Sequence, residues 1–206
     1  EKQESPVGTS VKIVPTDDRP VVEPDVAPPP ITGGTLLSLG DRVAAADPAR
    51  DRVSLTAPNS EVTEHIPLNA GDQPFRMTQD ASGDLYVVLR GTGEVARISL
   101  TTATVENRLK VCAAPRGIDY DALNDEVVVA CAEGKLVNIA PGNESIKSEQ
   151  ALEPDIRDVV VQGSRRYVSR FRSAEVLFVE AGEVTLRVKP PEVREFSNFD
   201  PENTRT

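Results

Sequence analysis

Tryptophan is missing from this chain, and histidine and methionine occur once each. The lone histidine, His65, lies in Glu64-His65-Ile66-Pro67, with no partner set of His, Cys or Asp at zinc-ligand spacing. A Ser-His-Asp relay would have to use His65, and no Gly-x-Ser-x-Gly elbow is present to carry its serine. Gly91-Thr92-Gly93 lacks the third glycine and the following helix of a nucleotide loop. Asp80, Ser82 and Asp84 begin like a calcium loop but lack its remaining ligands and closing Glu, so they read as a tight turn. No apolar run approaches the roughly 20 residues of a transmembrane helix. Positive charge is also short: 23 Lys and Arg face 33 Asp and Glu, a net charge of -10. That balance argues against a general nucleic-acid binder and against binding to an anionic membrane surface. No catalytic residue, metal or cofactor is therefore expected within these residues.

What the chain does have is a repeat of about forty residues. Arg90-Gly91-Thr92-Gly93-Glu94-Val95-Ala96-Arg97-Ile98 stacks on Cys131-Ala132-Glu133-Gly134-Lys135-Leu136-Val137-Asn138-Ile139. Both stack on Phe171-Arg172-Ser173-Ala174-Glu175-Val176-Leu177-Phe178-Val179, at offsets of 41 and then 40. An apolar, β-branched run precedes each copy, as in Leu85-Tyr86-Val87-Val88-Leu89 and Glu126-Val127-Val128-Val129-Ala130. A weaker copy spans Thr35 to Leu68. Turn signals such as Asp80-Ala81-Ser82-Gly83-Asp84 and Ala181-Gly182-Glu183 separate the runs. No segment has a helical period.

This pattern predicts an all-β β-propeller of about four blades, each of three or four antiparallel strands. The units are expected over about 32–68, 69–111, 112–152 and 153–191. Four blades are few for a closed ring, and closure is what protects sheet edges, so a larger propeller is expected. Residues 1–31 hold seven of the seventeen prolines and read as a disordered acidic linker. Residues 192–206 read as a connecting tail. Glu1 is not an initiator methionine, which suits a processed or trimmed product.

The two cysteines, Cys112 and Cys131, flank a predicted hairpin and fall at the same end of it. A disulfide is expected, which fits an oxidising compartment. Two separately buried thiols are the alternative.

At Cys112-Ala113-Ala114-Pro115-Arg116-Gly117-Ile118-Asp119-Tyr120, and at Glu126-Val127-Val128-Val129-Ala130-Cys131, the chain resembles bacterial YVTN/NHL-type β-propellers. Asp80-Ala81-Ser82-Gly83-Asp84-Leu85-Tyr86-Val87 is similar to the NHL-type turn between the first two strands. The resemblance covers residues 35 to 190 and implies an exported bacterial protein, periplasmic or at the cell surface. The linker would then hold the propeller off a membrane anchor. Some members of that superfamily carry c-type cytochrome modules downstream. This chain departs from them in having no Cys-x-x-Cys-His motif.

Arg76, Arg116 and Arg157 recur at offsets of 40 and 41. Equivalent repeat positions point to equivalent places about a propeller axis, so the three are expected around one mouth of the central channel. There they would suit a carboxylate, a phosphate or an acidic partner loop. The alternative is that each pairs with a carboxylate of a neighbouring blade, such as Asp119 or Asp158. Arg165, Arg166, Arg170 and Arg172 form a second basic cluster, which alternating strand positions split between faces and which is expected on a solvated edge. The functional expectation is a non-enzymatic interaction or scaffold module. Its partners would be a protein or further domains of the same polypeptide. The alternative is an accessory domain of a periplasmic redox enzyme whose haem lies outside this chain.

Overall fold

The structure, a computed structural model, describes residues 35–142 and 145–190. The linker expected over 1–31 and the tail expected over 192–206 lie outside the described residues. Sixteen strands form four antiparallel sheets of four, each in chain order. No helix occurs among the described residues, and so none that could cross a membrane.

The first sheet contains β1 (Leu36–Ser38), β2 (Val43–Asp47), β3 (Arg52–Thr56) and β4 (Thr63–Pro67). The second contains β5 (Pro74–Gln79), β6 (Leu85–Leu89), β7 (Glu94–Ser99) and β8 (Thr104–Lys110). The third contains β9 (Pro115–Asp121), β10 (Glu126–Cys131), β11 (Lys135–Ala140) and β12 (Ser145–Ala151). The fourth contains β13 (Ile156–Gln162), β14 (Arg165–Arg170), β15 (Glu175–Glu180) and β16 (Glu183–Val188).

The continuous valine runs have a direct cause. Every residue of β10 is buried. Its Val127 and Val129 pack towards the second sheet, while Val128 and Ala130 pack towards the fourth. Likewise Val87 of β6 faces the first sheet and Val88 faces the third. A strand with core on both faces reads as an unbroken apolar run rather than an alternation. Three apolar clusters thus fill the three spaces between successive sheets, and each fully buried Val, Leu or Ile adds roughly 1.5–3 kcal/mol. The last strand of each sheet is the wet one: β12 and β16 are exposed along nearly their whole length.

The first strands of the sheets pack on one another, with β9 against both β5 and β13. This contact explains the glycine of Pro115-Arg116-Gly117. A Cβ at Gly117 would stand 2.6 Å from the Asp158 Cα.

The same strands carry a feature invisible in the sequence. In β9, Pro115 opposes Cys131 and Gly117 opposes Ala130, which leaves Arg116 as an extra residue. In β13, Ile156 opposes Arg170 and Asp158 opposes Ser169, which leaves Arg157 extra. In β5, Pro74 opposes Leu89 and Met77 opposes Val87, so Phe75 and Arg76 together face the place of Val88. Each recurring arginine therefore sits on a β-bulge, a device that bends a strand and re-aims a side chain. The β1–β2 ladder has regular register and no such bulge.

Candidate functional site: arginines at the inner-strand bulges

The starts of β5, β9 and β13 and the ends of β6, β10 and β14 share one end of the array. A disulfide between Cys112 and Cys131 fixes this end, tying the approach to β9 to the last residue of β10. Arg116 is the bulged residue beside that anchor. Glu133 comes close to both sulfurs, but they are bonded to each other and offer no thiolate to a metal. Its carboxylate instead accepts the Ala113 N–H at 2.9 Å.

Arg116 and Arg157 come together here with Arg90, which follows β6. Burial pushes the Arg90 guanidinium below its ordinary range, and repulsion from Arg116 and Arg157 pushes it further. Arg90, Arg116 and Arg157 form no ion pair among the described residues. Aromatic faces hold two of them. The Arg90 Cζ lies 4.3 Å from the Phe75 ring centroid, and the Arg157 Cζ lies 5.4 Å from that of Phe171. Such stacking orients a guanidinium while leaving its N–H edge available. The Phe171 ring is itself 69% exposed.

Arg76 is placed differently. Its Nη2 is 2.9 Å from Oδ2 of Asp158, in the sheet after next. Burial pushes the Asp158 carboxyl up to about 6, against the opposing pull of Arg76. Asp119 of β9 is also raised by burial, although its Oδ2 accepts the Val161 N–H at 2.7 Å. Among the described residues, the end therefore holds one arginine ion-paired with a carboxylate and three guanidiniums with no ion pair, of which Arg157 also attracts the Asp158 carboxylate from farther away. Three clustered, half-buried guanidiniums are suited to a carboxylate or phosphate, each able to bind it through two parallel N–H groups.

The exposed His65 lies on β4, where its Nδ1 is 2.9 Å from the half-buried Ser54 Oγ, away from this end. The Asp80 turn closes on itself, with its Oδ1 accepting the N–H groups of Ser82 and Asp84, both at 2.9 Å. The second basic cluster differs from expectation. Arg166 and Arg170 are not on a solvated edge: their side chains are only 15% and 18% exposed and are paired with buried carboxylates. They share the face of β14 that carries Val168 against the third sheet. Only the opposite face keeps Arg165 in solvent, paired with Glu180.

Sheets stacked about their first strands, with their last strands outermost, match solved structures. The array resembles virginiamycin B lyase from Staphylococcus aureus, with a TM-score of 0.67 and 13% identity over 78% of this chain and 57% of that one. It resembles Kuenenia stuttgartiensis hydrazine synthase, with a TM-score of 0.65 and 17% identity over 72% of this chain and 46% of that one. It also resembles Saccharomyces cerevisiae Sqt1, with a TM-score of 0.65 and 9% identity over 77% and 48%. The fold is a β-propeller. At these identities the likeness is one of fold alone. The chain spans about half the length of these structures. Its sequence matches no family model, and no curated protein aligns with it significantly.

In blade terms, Arg76, Arg116 and Arg157 start the innermost strands of blades two, three and four. Arg90 opens a repeat unit, but its repeat equivalents are Cys131 and Phe171, so no recurring arginine marks it as part of the cluster. The legible signal was its place at the end of a buried run, beside a turn and close to an aromatic-arginine pair.

Proposed function

We propose that this chain is a non-enzymatic interaction module of an exported bacterial β-propeller, and that its arginine end receives the acidic segment of a protein partner. The carrying observation is the cluster of Arg90, Arg116 and Arg157, unpaired among the described residues and close enough to repel. Such a cluster adds nothing to the fold by itself, since like charges at close range cost energy. An anionic ligand would offset that cost. The disulfide supports an oxidising compartment. The spacing of the arginines about the inner strands supports a ligand held at the axis.

The test is binding of a hexaglutamate peptide by the wild type and by the Arg90→Gln/Arg116→Gln/Arg157→Gln variant. The expected result is a loss of roughly tenfold or more in affinity at low salt, narrowing at high salt. Absence of binding by the wild type, or equal binding by the variant, overturns the reading.

A second reading is an accessory domain of a redox enzyme whose haem lies outside these residues. The likeness to hydrazine synthase is compatible with it, although it is a likeness of fold. A haem-attachment motif elsewhere in the same polypeptide would decide for it. The lyase likeness gives less support to catalysis here. A lyase variant with one histidine replaced by alanine is catalytically inactive. The one histidine of this chain sits on the outermost strand of the first blade.

A further inference from the structure

The spaces between blades can be compared position by position, because the ladders share one register. On the blade-two wall of the space between blades two and three, Arg97 of β7 opposes Asn107 of β8 and Val95 opposes Leu109. On the blade-three wall of the space between blades three and four, their counterparts Asn138 and Ser148 oppose each other, as do Leu136 and Gln150. On the facing blade, Val127 and Ile139 are paired in blade three, and Arg166 and Val179 are paired in blade four. The first groove is closed: Tyr86, Leu109 and Ile139 reduce it to a void of about 10 Å³. The second is open, at about 330 Å³. Shorter or more polar residues stand where the closed groove is filled: Val128 in the place of Tyr86, Gln150 in that of Leu109, and Arg166 in that of Val127.

The floor of the open groove is charged but internally neutral. Arg166 donates to Asn138 Oδ1 at 3.0 Å, to Asp121 Oδ2 at 3.3 Å and to Glu126 Oε2 at 3.2 Å. Lys147 takes the other Glu126 oxygen at 2.7 Å. Two cations thus meet two carboxylates, and no net charge is left for an ion. The walls add amides and hydroxyls from Asn124, Asn138, Ser148 and Ser164. Gln150 crosses the groove to donate to the Gly182 carbonyl at 2.9 Å. A volume above roughly 300 Å³ falls in the range of small-molecule sites.

We propose that the groove between blades three and four binds a neutral, hydroxyl-rich molecule of sugar size. The class follows from the groups present. Paired charges and amide and hydroxyl groups match hydroxyls that both donate and accept. Anions meet Asp121 and Glu126, and cations meet Arg166. The site is separate from the arginine end, because it lies at the opposite ends of β9 and β10. It does not rest on the function proposed above.

Asn124, Asn138 and Gln150 provide side-chain amide signals inside the groove, and Asn107 provides one in the closed groove. The experiment titrates the chain with glucose, N-acetylglucosamine and maltose, and in parallel with sulfate and choline, while following these amides by NMR. The expected result is saturable shifts at Asn138 and Gln150 with at least one sugar, at a Kd of about 1 mM or below, with Asn107 unmoved. A Ser148→Asn/Gln150→Leu variant, which restores the residues of the closed groove at two well-tolerated positions, should fold normally and lose the Asn138 shift. No shift with any sugar, shifts with sulfate or choline alone, or an undiminished Asn138 response in the variant would each overturn the proposal.

Discussion

Arg76 of blade two and Asp158 of blade four are joined by an ion pair of 2.9 Å that passes across the innermost strand of blade three. The pair joins two blades that share no ladder and whose innermost strands both pack against that of blade three. Both side chains are largely shielded, at 17% and 24% exposure, so neither charge is well hydrated if its partner is removed.

Replacing Asp158 with Ala should therefore destabilise the fold by roughly 1–3 kcal/mol, because it removes a hydrogen-bonded charge partner from a largely shielded guanidinium. Replacing both residues with apolar ones of similar size should cost much less. Urea unfolding of the two single variants and the double variant measures the coupling. Purely additive effects would show that the pair does not act as a strut.

Asp158 also makes a pH prediction. Its folded value of about 6 lies above the ordinary 3.8, because burial penalises the carboxylate. The folded state therefore favours the proton. The contribution to stability is complete below about pH 4 and is lost as pH rises through about 6. The stability of wild type relative to Asp158→Asn should fall by at most about 3 kcal/mol across that window. Asp119 is shifted in the same direction and adds to the pH dependence of the wild type itself, a contribution that the comparison with Asp158→Asn largely cancels because Asp119 is present in both. A stability difference that stays flat from pH 4 to 7 would remove Asp158 from the account.

The Cys112–Cys131 bond closes a loop of sequence separation 19. Loop closure of this size is worth about 3 kcal/mol. Non-reduced protein should weigh two hydrogens less than the reduced form. The Cys112→Ser/Cys131→Ser variant should melt lower without losing its β-sheet circular dichroism.

Gly117→Ala should be disproportionately harmful for so small a change. The new methyl would meet Asp158 Cα at 2.6 Å and Val159 N at 2.8 Å, both backbone atoms that cannot swing aside. Overpacking of this kind costs about 1–3 kcal/mol. Gly142, with nothing within 4 Å of an added Cβ, serves as the comparison for space, although its positive φ of 78° brings a local strain of its own. A loss of stability at Gly117 no greater than that at Gly142 would contradict the close approach of blades three and four.

Much of the architecture is local, and the sequence determined it. The unbroken apolar runs at Leu85 to Leu89 and Val127 to Ala130 are strands with core on both faces. The forty-residue spacing stacks them into equivalent blades, and the cysteines at the two ends of one hairpin meet because antiparallel pairing puts those ends together. Each of these features depends on alternation, spacing or turn chemistry within one repeat. The tertiary structure alone decided the rest. The bulges at Arg76, Arg116 and Arg157 are register shifts between strands, and no residue type announces them. Arg90 joins Arg116 and Arg157 only because three blades converge at one end. Arg166 looks like a solvated charge until strand alternation turns it towards Asp121 and Glu126 of the preceding blade. Repeats fix what each blade is, but a residue's charge environment and the space beside it belong to the interface between blades, and that exists only once they are stacked.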